Sequence, residues 1–278
     1  MAETIGLIAG GGRFPFLVAA GARGHGHRVA VAGLSGQTDP AIAGEADAYT
    51  VVHLGQLGRL LAFFKREKVT TLVMAGTVNK ARAMDFRPDW RAARLYFRLH
   101  GKAKGDDVLL RAVVAAFEDH GFRVAGPHEL VPELVTPAGV LSLRAPTAAE
   151  WADVRFGYAA ARRLGELDIG QTVVVKKQVV VAVEALEGTN ACLARAGTLV
   201  KGGLTVVKAL KPGQETRADL PTVGLDTIRL MARIGATCLA VEAGKSLFFD
   251  LAPAINEAQA AGIAVVGMDE TNLAADTP

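Results

Sequence analysis

Cysteine is nearly absent from this chain of 278 residues. Cys192 and Cys238 stand alone and far apart, without CxxC spacing. That argues against a disulfide framework or a zinc site and fits a reducing, cytoplasmic setting. Aromatic residues make up only 6%, which removes the stacking platform a single-strand nucleic-acid binder needs. A formal charge of +3 is too small to draw the chain to a phosphate backbone, so no nucleic-acid partner is expected. The histidines (His25, His27, His53, His100, His120 and His128) show neither HExxH nor HxxxH spacing, which disfavours a histidine–zinc centre. No GxSxG occurs, so a hydrolase nucleophile elbow is disfavoured too. Long apolar runs are also missing. The best one, 173–183, is interrupted by Lys176, Lys177 and Gln178 and cannot span a bilayer. The start lacks a basic n-region and its apolar run breaks at Gly10, so it does not read as a secretory signal. Amphipathic surface binding leaves a weak signature, which keeps a peripheral membrane contact open.

What is present is a hydrophobic half of the chain, enough for a packed protein of two ordinary domains. The first 130 residues alternate short apolar runs (5–9, 28–32, 51–54, 71–74) with helical patterns. In 56–67, Leu57, Leu60, Leu61 and Phe64 share a face. Asp106 or Asp107 caps a helix whose stripe is Leu109, Leu110, Val113, Val114 and Phe117. This grammar predicts an open parallel, Rossmann-like α/β sheet over 1–130. Four prolines fall in 127–146, and 131–146 reads as a linker. Residues 147–278 are expected to form a mixed α+β domain. Thr147 and Glu150 have capping-box spacing and open a helix to about 167. A β-rich run over 171–184 turns at Lys177-Gln178, and helices at 227–233 and 253–261 alternate with strands at 237–241 and 263–266.

Several motifs carry chemistry in this frame. Gly10, Gly11 and Gly12 follow a strand and precede a helix, where bare backbone amides can approach a phosphate. They do not complete a dinucleotide fingerprint. The third glycine falls on Pro15, and no acidic residue ends the second strand, which disfavours NAD. The plain alternative is a tight turn. Gly244-Lys245-Ser246 resembles the end of a Walker A motif, but Leu239 stands where the template needs glycine. Gly76 and Thr77 lie just past a strand's carboxyl end, where open α/β sheets bind ligands, and Lys80 or Arg82 nearby can meet an anion. Lys201, Lys208 and Lys211 either neutralise a diphosphate or line a solvated face. The stretch 212–228 carries Glu215, Arg217, Asp219 and Asp226, with Pro212, Gly213, Pro221 and Gly224 forbidding a continuous helix. Its two aspartates flank a run that looks packed, so both are expected near fixed positions. Glu184, Glu187, Asp219, Asp226, Glu242 and Asp250 form an oxygen-only set suited to Mg²⁺ or Mn²⁺ acting on phosphate esters.

Taken in order, GLIAGGGRFP at 6–15, MAGTV at 74–78, GDDVLL at 105–110, DIGQTVVV at 168–175, VAVEALEGTN at 181–190, LKPGQETRADLPTVGLDTI at 210–228 and AVEAG at 240–244 resemble the LpxI-type UDP-2,3-diacylglucosamine pyrophosphatases of lipid A biosynthesis. The resemblance spans nearly the whole chain. It implies Mg²⁺-dependent hydrolysis of UDP-2,3-diacylglucosamine to UMP and 2,3-diacylglucosamine 1-phosphate (lipid X), with water directed at the phosphorus on the sugar side. It also implies a homodimer of two-domain chains that clasp the ligand. The family's catalytic aspartate maps onto Asp226, taken here as metal ligand or water-positioning group. Gly11, Gly12, Gly76, Thr77, Glu184, Thr189, Lys208, Lys211, Gln214 and Arg217 are the expected substrate contacts. Asn190 stands where EGTD is the more usual ending. Two rivals stay open: an NAD(P)-linked oxidoreductase built on the first domain, and a non-enzymatic nucleotide or lipid carrier.

Overall fold

A computed structural model describes residues 3–78, 88–99 and 106–274. Lys80 and Arg82 lie outside them, as does Gly105 of the GDDVLL block. The described chain falls into two compact units.

The first unit is built on β1 (Thr4–Ala9), α1 (Phe14–Gly24), β2 (Arg28–Leu34), β3 (Ala48–Val52), α2 (Leu57–Arg66), β4 (Thr71–Ala75), α3 (Trp90–Leu99), α4 (Asp106–Glu118), β5 (Arg123–Val124) and α5 (Pro127–Leu130). Its strands pair in parallel in the order β3-β2-β1-β4-β5. The reason is visible in the strands themselves. TIGLIA and RVAVAGL bury nearly every side chain, as a strand covered on both faces must. On one face Leu61, Phe64, Leu72, Val114 and Phe117 form a continuous core. Full burial of each such side chain is worth roughly 1.5–3 kcal/mol. The expected Rossmann-like sheet is therefore observed, with helix and strand ends shifted by one to three residues.

The second unit follows with β6 (Gly139–Val140), α6 (Ala148–Glu166), β7 (Thr172–Lys176), β8 (Val179–Val183), α7 (Thr189–Leu199), β9 (Leu204–Lys208), β10 (Thr222–Val223), α8 (Leu225–Ile234), β11 (Ala236–Glu242), β12 (Leu247–Phe248), α9 (Leu251–Ala260), β13 (Ala264–Met268) and α10 (Glu270–Ala274). Six strands form one sheet in the order β6-β13-β11-β9-β7-β8. β9, β11 and β13 run parallel, while β7 and β6 are antiparallel to their neighbours. This is the mixed α+β unit expected. The hairpin turn stands at Lys177 and Gln178, both left-handed (φ 52° and 59°). Two non-glycine residues hold that conformation because the buried Asp153 carboxylate accepts from both their amides, at 3.0 and 2.5 Å.

Three features depart from the reading of the sequence. Helix α7 went unseen because its buried face holds one large side chain, Leu193, beside the small Cys192, Ala196 and Gly197, the last with Ile234 against it. Its periodic signal is therefore faint. The proline-rich stretch carries structure: α5, a 3₁₀ turn at Pro132–Leu134 and the edge strand β6. From Glu133 onward it belongs to the second unit. Thr136 pairs there with Ser246, amide to carbonyl at 2.9 Å and hydroxyl to hydroxyl at 2.7 Å. Finally, Glu215–Asp219 belongs to the first unit, with Ala218 packed against that unit's core. Asp219 and Asp226 thus sit in different units rather than bracketing one packed loop.

Candidate functional site

In the first unit the two glycine loops meet. Gly10–12 follows β1 and Gly76-Thr77 follows β4, and in this strand order those neighbours flank the point where the chain's winding reverses. Gly11 and Thr77 exchange backbone hydrogen bonds at 2.8 and 3.0 Å, and the Gly10 amide donates to Ala75 at 2.8 Å. A Cβ at Gly76 (φ 98°) would stand 2.7 Å from the Gly11 carbonyl, so glycine is required for this closure. The Gly11 amide, expected near a phosphate, is therefore spent on the Thr77 carbonyl, and the Thr77 amide on the Gly11 carbonyl.

In the second unit the strand directions place the predicted residues on one edge. β8 runs antiparallel to β7, and β7 antiparallel to β9, so β8, β9 and β11 all point the same way. Glu184 and Thr189 follow the carboxyl end of β8, and Lys208 ends β9. They form one buried chain of contacts. Lys208 Nζ donates to Thr189 Oγ1 at 2.7 Å, and Thr189 Oγ1 donates to Glu184 Oε1 at 2.9 Å. Lys208 is 4% and Glu184 8% exposed. Glu184 Oε2 has no hydrogen-bond partner among the described residues. An acceptor left this way inside a polar network calls for a donor or cation from elsewhere.

Just beyond β9, Pro212 and Gly213 (φ 73°) make the turn that closes with Gln214 N–H to Lys211 C=O at 3.2 Å. The Gln214 side chain accepts from the Lys211 amide at 3.1 Å. Lys211 Nζ pairs with Asp168 Oδ1 at 2.6 Å. Glu242, ending β11, was not singled out as a contact, yet it organises the same edge. It accepts from the Leu210 amide and from Lys245 Nζ, each at 2.9 Å, and from Tyr158 Oη at 3.4 Å. Burial, seconded by the Glu242 charge, pushes the Tyr158 phenol up. The apparent Walker lysine is thus Glu242's partner, and Ser246 is buried against the Glu242 carbonyl at 2.6 Å. The signal in the sequence was the AVEAG block.

Asp226 lies in the first turn of α8. Gly235 (φ 70°) ends that helix and leads straight into β11, so the helix precedes the strand by a tight reversal and its start points towards the sheet's carboxyl edge. Its apolar side buries Thr227, Ile228 and Met231, leaving the Asp226 carboxylate 90% exposed, 3.9 Å from Arg229. Arg217 stands apart, in the segment of the first unit. Its guanidinium grips Glu215 at 2.7 and 2.8 Å and Glu118 at 2.6 Å. Hydrogen bonds with Glu215 push the Arg217 pKa up and the Glu215 pKa down. Neither cysteine offers a nucleophile: both are buried and free, and burial pushes the Cys192 thiol up to about 11.

No three His, Cys, Asp or Glu side chains among the described residues converge into a metal cage. The oxygen-only set of carboxylates read from the sequence is therefore not gathered among the described residues. Asp226, exposed, and Glu184 Oε2, without a hydrogen-bond partner among the described residues, could hold a hydrated Mg²⁺, an ion that attaches through one or two carboxylates. Among the described residues no helix is long and apolar enough to cross a membrane.

The chain is similar to known proteins over nearly its whole length. The LpxI N-terminal domain matches residues 4–134 and the LpxI C-terminal domain residues 137–266. A relative from Caulobacter vibrioides, the UDP-2,3-diacylglucosamine pyrophosphatase LpxI, is 37% identical, with the match covering 96% of this chain and 98% of the relative. The glycine turn at 10–12, the buried Glu184–Thr189–Lys208 chain and the exposed Asp226 all fall within these matched regions, and the chain belongs to the LpxI family.

Proposed function

We propose that this protein hydrolyses the pyrophosphate bond of UDP-2,3-diacylglucosamine, releasing UMP and 2,3-diacylglucosamine 1-phosphate, with Mg²⁺ (or Mn²⁺) bound at Asp226. The observation that carries the reading is the carboxyl edge of the second sheet. A buried lysine, a hydroxyl and a carboxylate are linked there, and the helix bearing Asp226 in its first turn leads into a strand of the same sheet. The relative's name supplies the substrate class.

The chemistry asks for cations around a diphosphate and an oriented water. Lys208, held by Thr189, is a point charge for one phosphoryl group, and Lys211 can exchange Asp168 for a second. Glu184 fixes the Thr189 hydroxyl so that its lone pairs face the lysine. Asp226, exposed and 3.9 Å from Arg229, accepts a proton from water or holds the ion. Mg²⁺, when bound, supplies neutralisation of the charge that builds on the phosphoryl oxygens. Gln214 orders the Lys211 turn, and the reading keeps Gly12 and Gly76 as backbone surfaces for substrate. The protein works in the cytoplasm as a homodimer, with peripheral contact to the inner membrane where its acylated substrate resides.

The test measures UMP release from UDP-2,3-diacylglucosamine with and without EDTA, for the wild type and Asp226→Ala. Loss of a positioned base or metal ligand lowers turnover roughly 10²–10⁴-fold, while substrate binding stays measurable. Near-wild-type turnover in the variant removes Asp226 from the mechanism. Absence of UMP release by the wild type, together with tight substrate binding, replaces the enzyme with a carrier.

A further inference from the structure

We propose that the first unit carries a nucleoside monophosphate site on the β2 side of its glycine turn. A cavity of about 390 Å³ opens there, lined by Gly12, Arg13, Phe16, Gly36, Gln37 and Asp39 among others. It lies past the carboxyl ends of β1 and β2, the edge at which parallel sheets hold ligands. Its size falls within the range of small-molecule sites, roughly 300–1,000 Å³.

The walls supply the three kinds of group that a nucleotide needs. The ring of Phe16, half-buried, is a flat apolar surface for a base. Arg13 is an exposed cation at the mouth, suited to a phosphate. Gly12 (φ 85°) has no atom within 4 Å of where a Cβ would stand, so bare backbone leaves room for the ligand between them.

The third group is a carboxylate. The linear fingerprint looks for an acid at the end of β2 to hold ribose hydroxyls, and none is there. The fold supplies one by bending the chain back. The Thr38 amide donates to the Leu34 carbonyl at 3.0 Å, the Thr38 hydroxyl accepts from the Leu34 amide at 2.7 Å, and Gly36 (φ 71°) makes the reversal. Asp39, just past that turn, lines the cavity. Its Oδ1 accepts from the Ala41 amide at 2.9 Å, which fixes the side chain. Gln37 adds an amide on the same wall. The identity of the base as uracil rests on the proposed function, whereas the site rests on this geometry.

The experiment titrates the full chain with UMP, uridine and inorganic phosphate by calorimetry, using wild type, Arg13→Ala and Phe16→Leu. Arg13→Ala raises the Kd for UMP about tenfold, the loss of one charge-assisted phosphate contact, and leaves uridine unchanged. Phe16→Leu keeps apolar volume but removes the ring, and weakens UMP and uridine together. Backbone amide shifts of Gly12, Gly36 and Asp39 on addition of UMP to unmodified protein read the site without any variant. The proposal is overturned if UMP leaves those amides unmoved, if both variants keep wild-type UMP affinity, or if phosphate binds as tightly as UMP. UMP binding at these residues without hydrolysis of UDP-2,3-diacylglucosamine sinks the proposed function alone. Hydrolysis with UMP affinity indifferent to both variants sinks this inference alone.

Discussion

Replacing Glu150 by glutamine tests how a local motif and a distant arginine share one carboxylate. Glu150 closes the capping box of α6, accepting from the Thr147 amide at 2.8 Å. Both its oxygens also take the Arg144 guanidinium, at 2.8 and 2.9 Å. Arg144 in turn donates to the Gly262 carbonyl at 2.9 Å and to the Thr237 carbonyl, tying the helix start to the sheet. Burial works to raise the Glu150 pKa, but Arg144 and the Thr147 amide outweigh it and bring it from 4.5 to about 2. At roughly 1.4 kcal/mol for each pH unit, the charge contributes on the order of 3 kcal/mol at neutral pH. The Glu150 side chain is only 12% exposed, so solvent screening removes little of this. Glu150→Gln keeps the shape and part of the hydrogen bonding, and is expected to cost about 2–3 kcal/mol.

The pH dependence carries the sharper test. The folded carboxyl holds its proton less tightly than the unfolded one. Between 4.5 and about 2 the unfolded chain therefore binds more protons, and stability falls as pH falls. Urea unfolding of wild type and Glu150→Gln at pH 7, 5, 4 and 3 should give a full gap at pH 7 and close to it at pH 5. By pH 3 the gap should shrink to roughly half or less. A gap equally wide at pH 3 and pH 7 would falsify the electrostatic account, because packing alone does not titrate.

Two further outcomes follow from the backbone. Asp153→Ala removes the acceptor of two turn amides and should cost roughly 2–4 kcal/mol, read as a lower urea midpoint of the second unit. An unchanged midpoint would show that the left-handed Lys177 and Gln178 support themselves. Gly76→Ala forces a Cβ to within 2.7 Å of a backbone oxygen at φ 98° and should destabilise the first unit by about 2 kcal/mol or more. A melting temperature equal to wild type would contradict the closure of the two glycine loops.

Much of this architecture was legible because its causes are local. Apolar runs bounded by glycine read as buried strands, and the Thr147–Glu150 spacing reads as a helix start because both reciprocal bonds span one turn. The turn at Lys177-Gln178 was visible between two β-rich runs. The ordered blocks of residues, from the glycine turn to the 210–228 segment, carried the family, from which the proposal for Asp226 comes. Helix α7 stayed hidden because a single large apolar residue, Leu193, among small ones makes a weak period.

What the tertiary structure alone decided is contact between residues far apart in the chain. It joins Glu184, Thr189 and Lys208 in one buried chain and spends the Gly11 and Thr77 amides on each other. It also assigns Glu215–Asp219 to the first unit and Leu220 onward to the second, so the run that the two aspartates flank is not one packed loop. Hydrophobic period and capping act over a few residues and so leave a trace in linear order. Strand direction, burial of a lysine and the partner of a carboxylate depend on which segments the fold brings together, and spacing along the chain does not encode that.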